Sequence, residues 1–121
     1  MINDLKKIIS MPTILCEGEN GTPFGVAIAD ALHWFADRAK ELGLNSYYNQ
    51  YYAYAETTDG DENDMIGVAA HLDVVPVNAA DWNTNPFELV DKNGILYGRG
   101  VADDKGPAIV CLHVLAELNK F

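Results

Sequence analysis

Residues 65–70, Met-Ile-Gly-Val-Ala-Ala, form an unbroken apolar run that ends on His71. Six apolar residues bounded by polar turns have the length of a strand, and a strand without alternation is one covered on both faces. This segment predicts an α/β fold: a central mixed sheet with flanking helices. His71 would then stand at the C-terminal end of a buried strand, where open α/β sheets collect their ligands. With 121 residues the chain has room for one domain and one core, so 1–121 is read as a single unit.

The neighbouring segments supply the other elements. Asn3 is placed as the cap of a short helix carrying Leu5, Ile8 and Ile9 on one face and stopped by Pro12. After a polar, glycine-rich loop over 16–21, Thr22 as cap and Pro23 as first helical residue predict a second helix. Its Phe24, Ile28, Leu32, Phe35, Ala39 and Leu42 repeat every three or four positions, and Gly43 ends it. Alternating, aromatic residues over 44–48 and 51–56 predict a hairpin bent at Asn49-Gln50, followed by a turn over 57–64. The 75–86 segment reads as irregular. Asn93-Gly94 between 87–90 and 95–97 is the strongest hairpin signal in the chain. Pro107 then opens a helix over 108–118 that is apolar nearly all round, hence expected to be buried. The sheet it covers would need more strands than this sequence supplies, or another copy.

Eight Lys and Arg stand against 18 Asp and Glu, a net charge of −10 that repels nucleic-acid phosphates and anionic membranes. Neither nucleic acid nor a membrane is expected as a partner, since no stretch nears the roughly 18 apolar residues of a spanning helix. Cys16 and Cys111 form no Cys-x-x-Cys pair, and the start of the chain has no leader pattern. A reduced, cytoplasmic protein with both thiols buried is expected. Asp59-Gly60-Asp61-Glu62-Asn63 begins like a calcium loop, but Asp64 and Ala70 occupy the positions that need Gly and Glu, so it reads as a solvated turn. His33, Trp34 and His113 read as packing residues, and the five tyrosines between 47 and 54 as strand formers.

The chemistry concentrates in two blocks, His71-Leu72-Asp73-Val74-Val75-Pro76 and Gly98-Arg99-Gly100-Val101-Ala102-Asp103-Asp104-Lys105-Gly106-Pro107. In an extended segment His71 and Asp73 point to one side, so the carboxylate can take the proton of one imidazole nitrogen while the other binds a metal. Asp103 and Asp104 precede a helix whose N-terminus favours anions, and one carboxylate there could bridge two cations about 3.5–4 Å apart. Gly98, Gly100 and Gly106 would let backbone approach the ions closely or take positive φ. Each block alone has a plainer reading, a hydrogen-bonded strand end for one and a helix cap for the other.

In combination the blocks are more specific. With Pro23-Phe24-Gly25, Trp82 and Pro86-Phe87, they resemble the co-catalytic zinc metallopeptidases that include dipeptidase V, carnosinase, acetylornithine deacetylase and succinyl-diaminopimelate desuccinylase, most closely the dipeptidase V branch. The resemblance runs over nearly the whole chain and implies the first part of a zinc-peptidase-like catalytic domain. By it, His71 ligates one zinc, Asp73 is the catalytic residue that orients His71, and Asp103 bridges both zincs. Asp104 supports the bridging residue from the layer behind, and the Asp103–Asp104 peptide is cis. The metals are two zinc ions, with cobalt or manganese as substitutes. The substrate is a dipeptide or small N-acyl amino acid, hydrolysed by a metal-activated water.

The glutamate base, the remaining ligands and the inserted lid or dimerisation domain of such enzymes have no counterpart in this sequence. The expectation is therefore an N-terminal fragment of a metal-dependent dipeptidase, inactive alone. The alternatives are a non-catalytic remnant that self-associates through uncovered apolar surface, and a simple metal-binding or regulatory α/β domain.

Overall fold

The computed structural model describes every residue except Glu62, which lies within the turn expected over 57–64 and within the dismissed calcium loop. Helix α1 spans Ile2–Ile9, α2 Val26–Glu41 and α3 Lys105–Leu118. Strands β1 (Asn45–Tyr48) and β2 (Ala53–Glu56) form one antiparallel hairpin, and β3 (Val90–Lys92) and β4 (Ile95–Tyr97) a second. The chain is of the mixed α/β class. Among the described residues its strands are divided between these two hairpins and one parallel bridge, Ile14 to Val74, rather than gathered into one central sheet.

The local signals explain most boundaries. Asn93-Gly94 forms the two-residue turn with positive φ at both positions, 57° and 83°, which the twist of the hairpin requires. Gly43, at φ 87°, ends α2 as its Leu44 neighbour donates back to the Ala39 carbonyl over 3.1 Å. The first hairpin turns through four residues, 49–52, with the Asn49 side chain accepting from the Tyr51 and Tyr52 amides at 2.8 and 3.0 Å.

Three helix starts differ from expectation. The Met1 carbonyl accepts from the Asp4 and Leu5 amides at 3.0 Å, so α1 begins at Ile2 and Asn3 lies inside its first turn. α2 begins at Val26, not after Thr22, because Gly25 sits at φ 100° beside Cys16, where a β-carbon would collide with the thiol. α3 starts two residues before Pro107, which is tolerated because the first amides of a helix have no intrahelical acceptor.

The core has two parts. Leu5, Ile8, Ile9, Ala31 and Ile109 pack together, joined by Leu72, Leu96 and Val101; Ala39, Leu44, Leu112 and Ala116 form the second group with Phe35 and Ala55. Between the helices the nearly buried Asp4 carboxylate accepts from Arg38 Nε at 2.9 Å and from His113 Nε2 at 2.7 Å. His113 is thus the satisfied packing histidine expected. Partial burial pushes the Asp4 carboxyl up, but the hydrogen bonds and charges of Arg38 and His113 outweigh it and hold it below the ordinary value of 3.8. The ionised form is therefore favoured by folding. Its contribution is complete above the unfolded value and is lost as pH falls through about 4 toward the lower folded value. Asp4→Asn should cost about 2 kcal/mol near pH 7 and flatten the acid limb of the urea midpoint plotted against pH. An unchanged acid limb would contradict this pairing.

Two burial expectations fail. The apolar run over 65–70 forms no strand and lies open, with Met65 73%, Ile66 93% and Val68 71% exposed, because no described strand flanks it on either side. α3 is apolar on all sides but buried on one; Val110, Val114 and Leu118, four apart, point outward. Cys16 is exposed and Cys111 half-buried, so the thiols are not the buried pair expected. No helix among the described residues is long and apolar enough to cross a membrane.

Candidate metal site

Without a strand around it, the 71–74 segment still alternates: Leu72 and Val74 turn inward while His71 and Asp73 face solvent. This is the period-2 geometry of extended backbone, and it puts imidazole and carboxylate on one side. His71 Nδ1 lies 3.1 Å from the Asp73 carbonyl and 3.2 Å from its carboxylate, and Nε2 lies 3.0 Å from Asp103 Oδ1. The fourth residue closes the group. Asp104 accepts the His71 amide proton at 3.1 Å, and its carboxylate makes no capping bond to α3. The Asp103–Asp104 peptide is cis, as expected. Asp104 thus holds the N-cap position of α3 without a side-chain capping bond, and His71 lies outside any strand.

Of the glycines in the second block Gly100 takes the positive φ expected, and it and Gly106 sit in close packing. Gly100, at φ 97°, lies where a β-carbon would come within 2.8 Å of Lys105 Cδ and 3.2 Å of Val74. A β-carbon on Gly106 would overlap the Val101 carbonyl. Together they let the 98–106 loop fold tightly onto the start of α3. Beneath it Lys105 is fully buried and donates to the Met11 carbonyl at 2.7 Å, and burial pushes its ammonium pKa down to about 8. Sequence reasoning missed Lys105 and the buried Thr13, which has no sequence signal. The one hint at Lys105 was a cation in the first turn of a helix, where the dipole disfavours it.

The chemistry of His71 tests whether a cation fits. Nδ1 faces two oxygens and so carries the proton in the neutral ring, which leaves Nε2 a bare acceptor pointed at another carboxylate. Two acceptors in contact are satisfied only by a second proton or by a cation between them. Partial burial lowers the His71 pKa, but the Asp103 hydrogen bond, the Asp73 carbonyl and both carboxylate charges outweigh it and raise it above 6.5. Two donors on one tetrahedral zinc are about 3.3 Å apart, close to the 3.0 Å observed. His71 and Asp103 thus fit two coordination positions. No cluster of three or more such side chains occurs among the described residues. A cavity of about 370 Å³ lined by Trp82, Lys92 and Tyr97 among others includes none of the four site residues.

Residues 67–121 match the sequence profile of Peptidase family M20/M25/M40. The matched stretch contains all four site residues. A protein of Staphylococcus epidermidis named "Putative dipeptidase" is 30% identical over 99% of this chain and 26% of its own length. One of the same name from Staphylococcus aureus strain USA300 is 30% identical over 98% of this chain and 25% of its own. The fold resembles the crystal structure of human carnosine dipeptidase 1 with a TM-score of 0.70 at 22% identity, over 98% of this chain and 28% of that one. The chain therefore spans about a quarter of the length of the relatives it matches.

Proposed function

We propose that this chain carries the first half of a two-metal peptidase site, within a protein that hydrolyses the amide bond of dipeptides or small N-acyl amino acids. The observation that carries the reading is that both ring nitrogens of His71 face carboxylates, Asp73 on one side and Asp103 on the other. Asp73 holds the Nδ1 proton and turns Nε2 outward as the ligand. Asp103, largely exposed, presents a carboxylate able to be shared by two ions, and Asp104 fixes the His71 backbone against the start of α3. When bound, zinc, cobalt or manganese would lower the pKa of a water and polarise the substrate carbonyl.

Two protein ligands fall short of the three or four that zinc needs. The chain by itself should bind zinc weakly and hydrolyse no dipeptide measurably. Calorimetric titration with zinc checks this: Asp73→Asn should weaken binding about 10- to 100-fold, as losses behind the ligand layer do. Zinc binding indifferent to both Asp73→Asn and His71→Ala would discard the reading.

A second reading, a self-associating domain, is favoured by the open apolar surface of Met65, Ile66, Val68 and the outer side of α3. Sedimentation at micromolar concentration should show dimers or larger species, strengthened by salt because salt screens the −10 charge. Ile66→Asp should shift the chain toward monomer. A lone monomer in high salt would count against this.

A further inference from the structure

We propose that Thr13 is a positioning residue for the His71–Asp103 pair, acting through the main chain on both sides of Asp73, just after His71. Thr13 is fully buried and its hydroxyl donates to the Leu72 carbonyl at 2.6 Å, the peptide oxygen between His71 and Asp73. Its own carbonyl accepts the Val74 amide at 2.9 Å, next to the Ile14–Val74 bridge. Two bonds from one residue thus hold the peptide planes that send Leu72 and Val74 inward and His71 and Asp73 outward.

The same short segment grips the other block. The Thr13 amide donates to the Met11 carbonyl at 2.9 Å, and that carbonyl also takes the Lys105 ammonium at 2.7 Å. Lys105 directly follows Asp104. Residues 11–13 therefore brace 71–74 against 103–105, segments some thirty residues apart whose side chains must meet within hydrogen-bond distance. Buried polar groups are costly unless paired, so Thr13 and Lys105 hold this arrangement only while both bonds are made.

The proposal rests on the reading of His71 and Asp103 as metal ligands, and the test separates the two. Zinc affinity is measured by calorimetry, and the His71 amide and ring signals by nitrogen-edited NMR. Thr13→Val keeps the shape and deletes the donor; it should weaken zinc about 10-fold and shift the His71 signals. Thr13→Ser should restore both to within about twofold of wild type. Leu112→Ala, in the second core group, should lower the melting temperature at least as much yet leave zinc affinity unchanged where all variants are folded.

Equal weakening by Thr13→Val and Leu112→Ala would overturn the brace, as would unchanged His71 signals in Thr13→Val. If wild type binds no zinc, the metal reading fails, and the His71 signals alone decide the brace. Should Thr13→Val not fold, Lys105→Met cuts the other arm and carries the same two readouts, with the Asp103 and Asp104 amides expected to shift and their constancy overturning the proposal.

Discussion

Asp103→Asn should eliminate zinc binding by this chain at any concentration reached in a titration, and leave its melting temperature within a degree or two of wild type. The side chain is 86% exposed and pairs with His71, so the fold gains little from it. The metal gains a great deal. Asn is the same size but uncharged, and removing the charge takes away one of the two proposed ligands and the carboxylate that faces Nε2 of His71. On the function proposed above, the same change in a protein of the relatives' length should nearly abolish dipeptide hydrolysis, because a carboxylate shared by two ions would serve both at once. Unaltered zinc affinity in Asp103→Asn would remove Asp103 from the site, whatever happened to His71.

The largest expected loss of stability is at Ile8. Fully buried between Leu5, Ile9, Ala31 and Ile109, it leaves a cavity when cut to alanine, at a cost of about 3–4 kcal/mol. Domains of this size have about 5–15 kcal/mol in total. Ile8→Ala should therefore lower the melting temperature by roughly 10–15 °C and move the urea midpoint down in proportion. Val110→Ala is the matched control: it removes an apolar side chain from α3 that is half exposed, and should change stability by less than about 0.5 kcal/mol. If the two cost the same, the outer side of α3 is covered in solution, which a concentration-dependent melting temperature would reveal.

The comparison of α3 with the Asn93-Gly94 turn separates two kinds of information in this chain. The turn follows from two residues, because positive φ at both positions is a property of Asn and Gly themselves. Gly43 ended α2 where expected for the same reason, and the helical repeats of α1 and α2 were readable because side-chain periodicity is set by backbone geometry. The 65–70 run and α3 are as apolar as any core segment, yet burial depends on what lies opposite. That is decided by residues distant in sequence, or by other polypeptide, and no local pattern encodes it. Helix starts failed at Asn3 and Thr22 for a related reason: the Met1 carbonyl supplied the first acceptor in one case, and Cys16 beside Gly25 delayed the helix in the other.

The candidate site divides in the same way. Two-residue spacing placed His71 and Asp73 on one side of an extended chain, and Asp103-Asp104 before a helix was legible as a carboxylate pair. By itself the sequence determined which positions carry ligand-type side chains, which turns could form and a net charge of −10. Only the tertiary structure decided that Nε2 of His71 meets Asp103, that the Asp104 carboxylate takes the His71 amide rather than a capping bond, and that Thr13 and Lys105 lock the two segments together. Spacing within a segment is dictated by covalent geometry. Contacts across thirty or ninety residues exist only once buried donors and acceptors find partners in the folded chain.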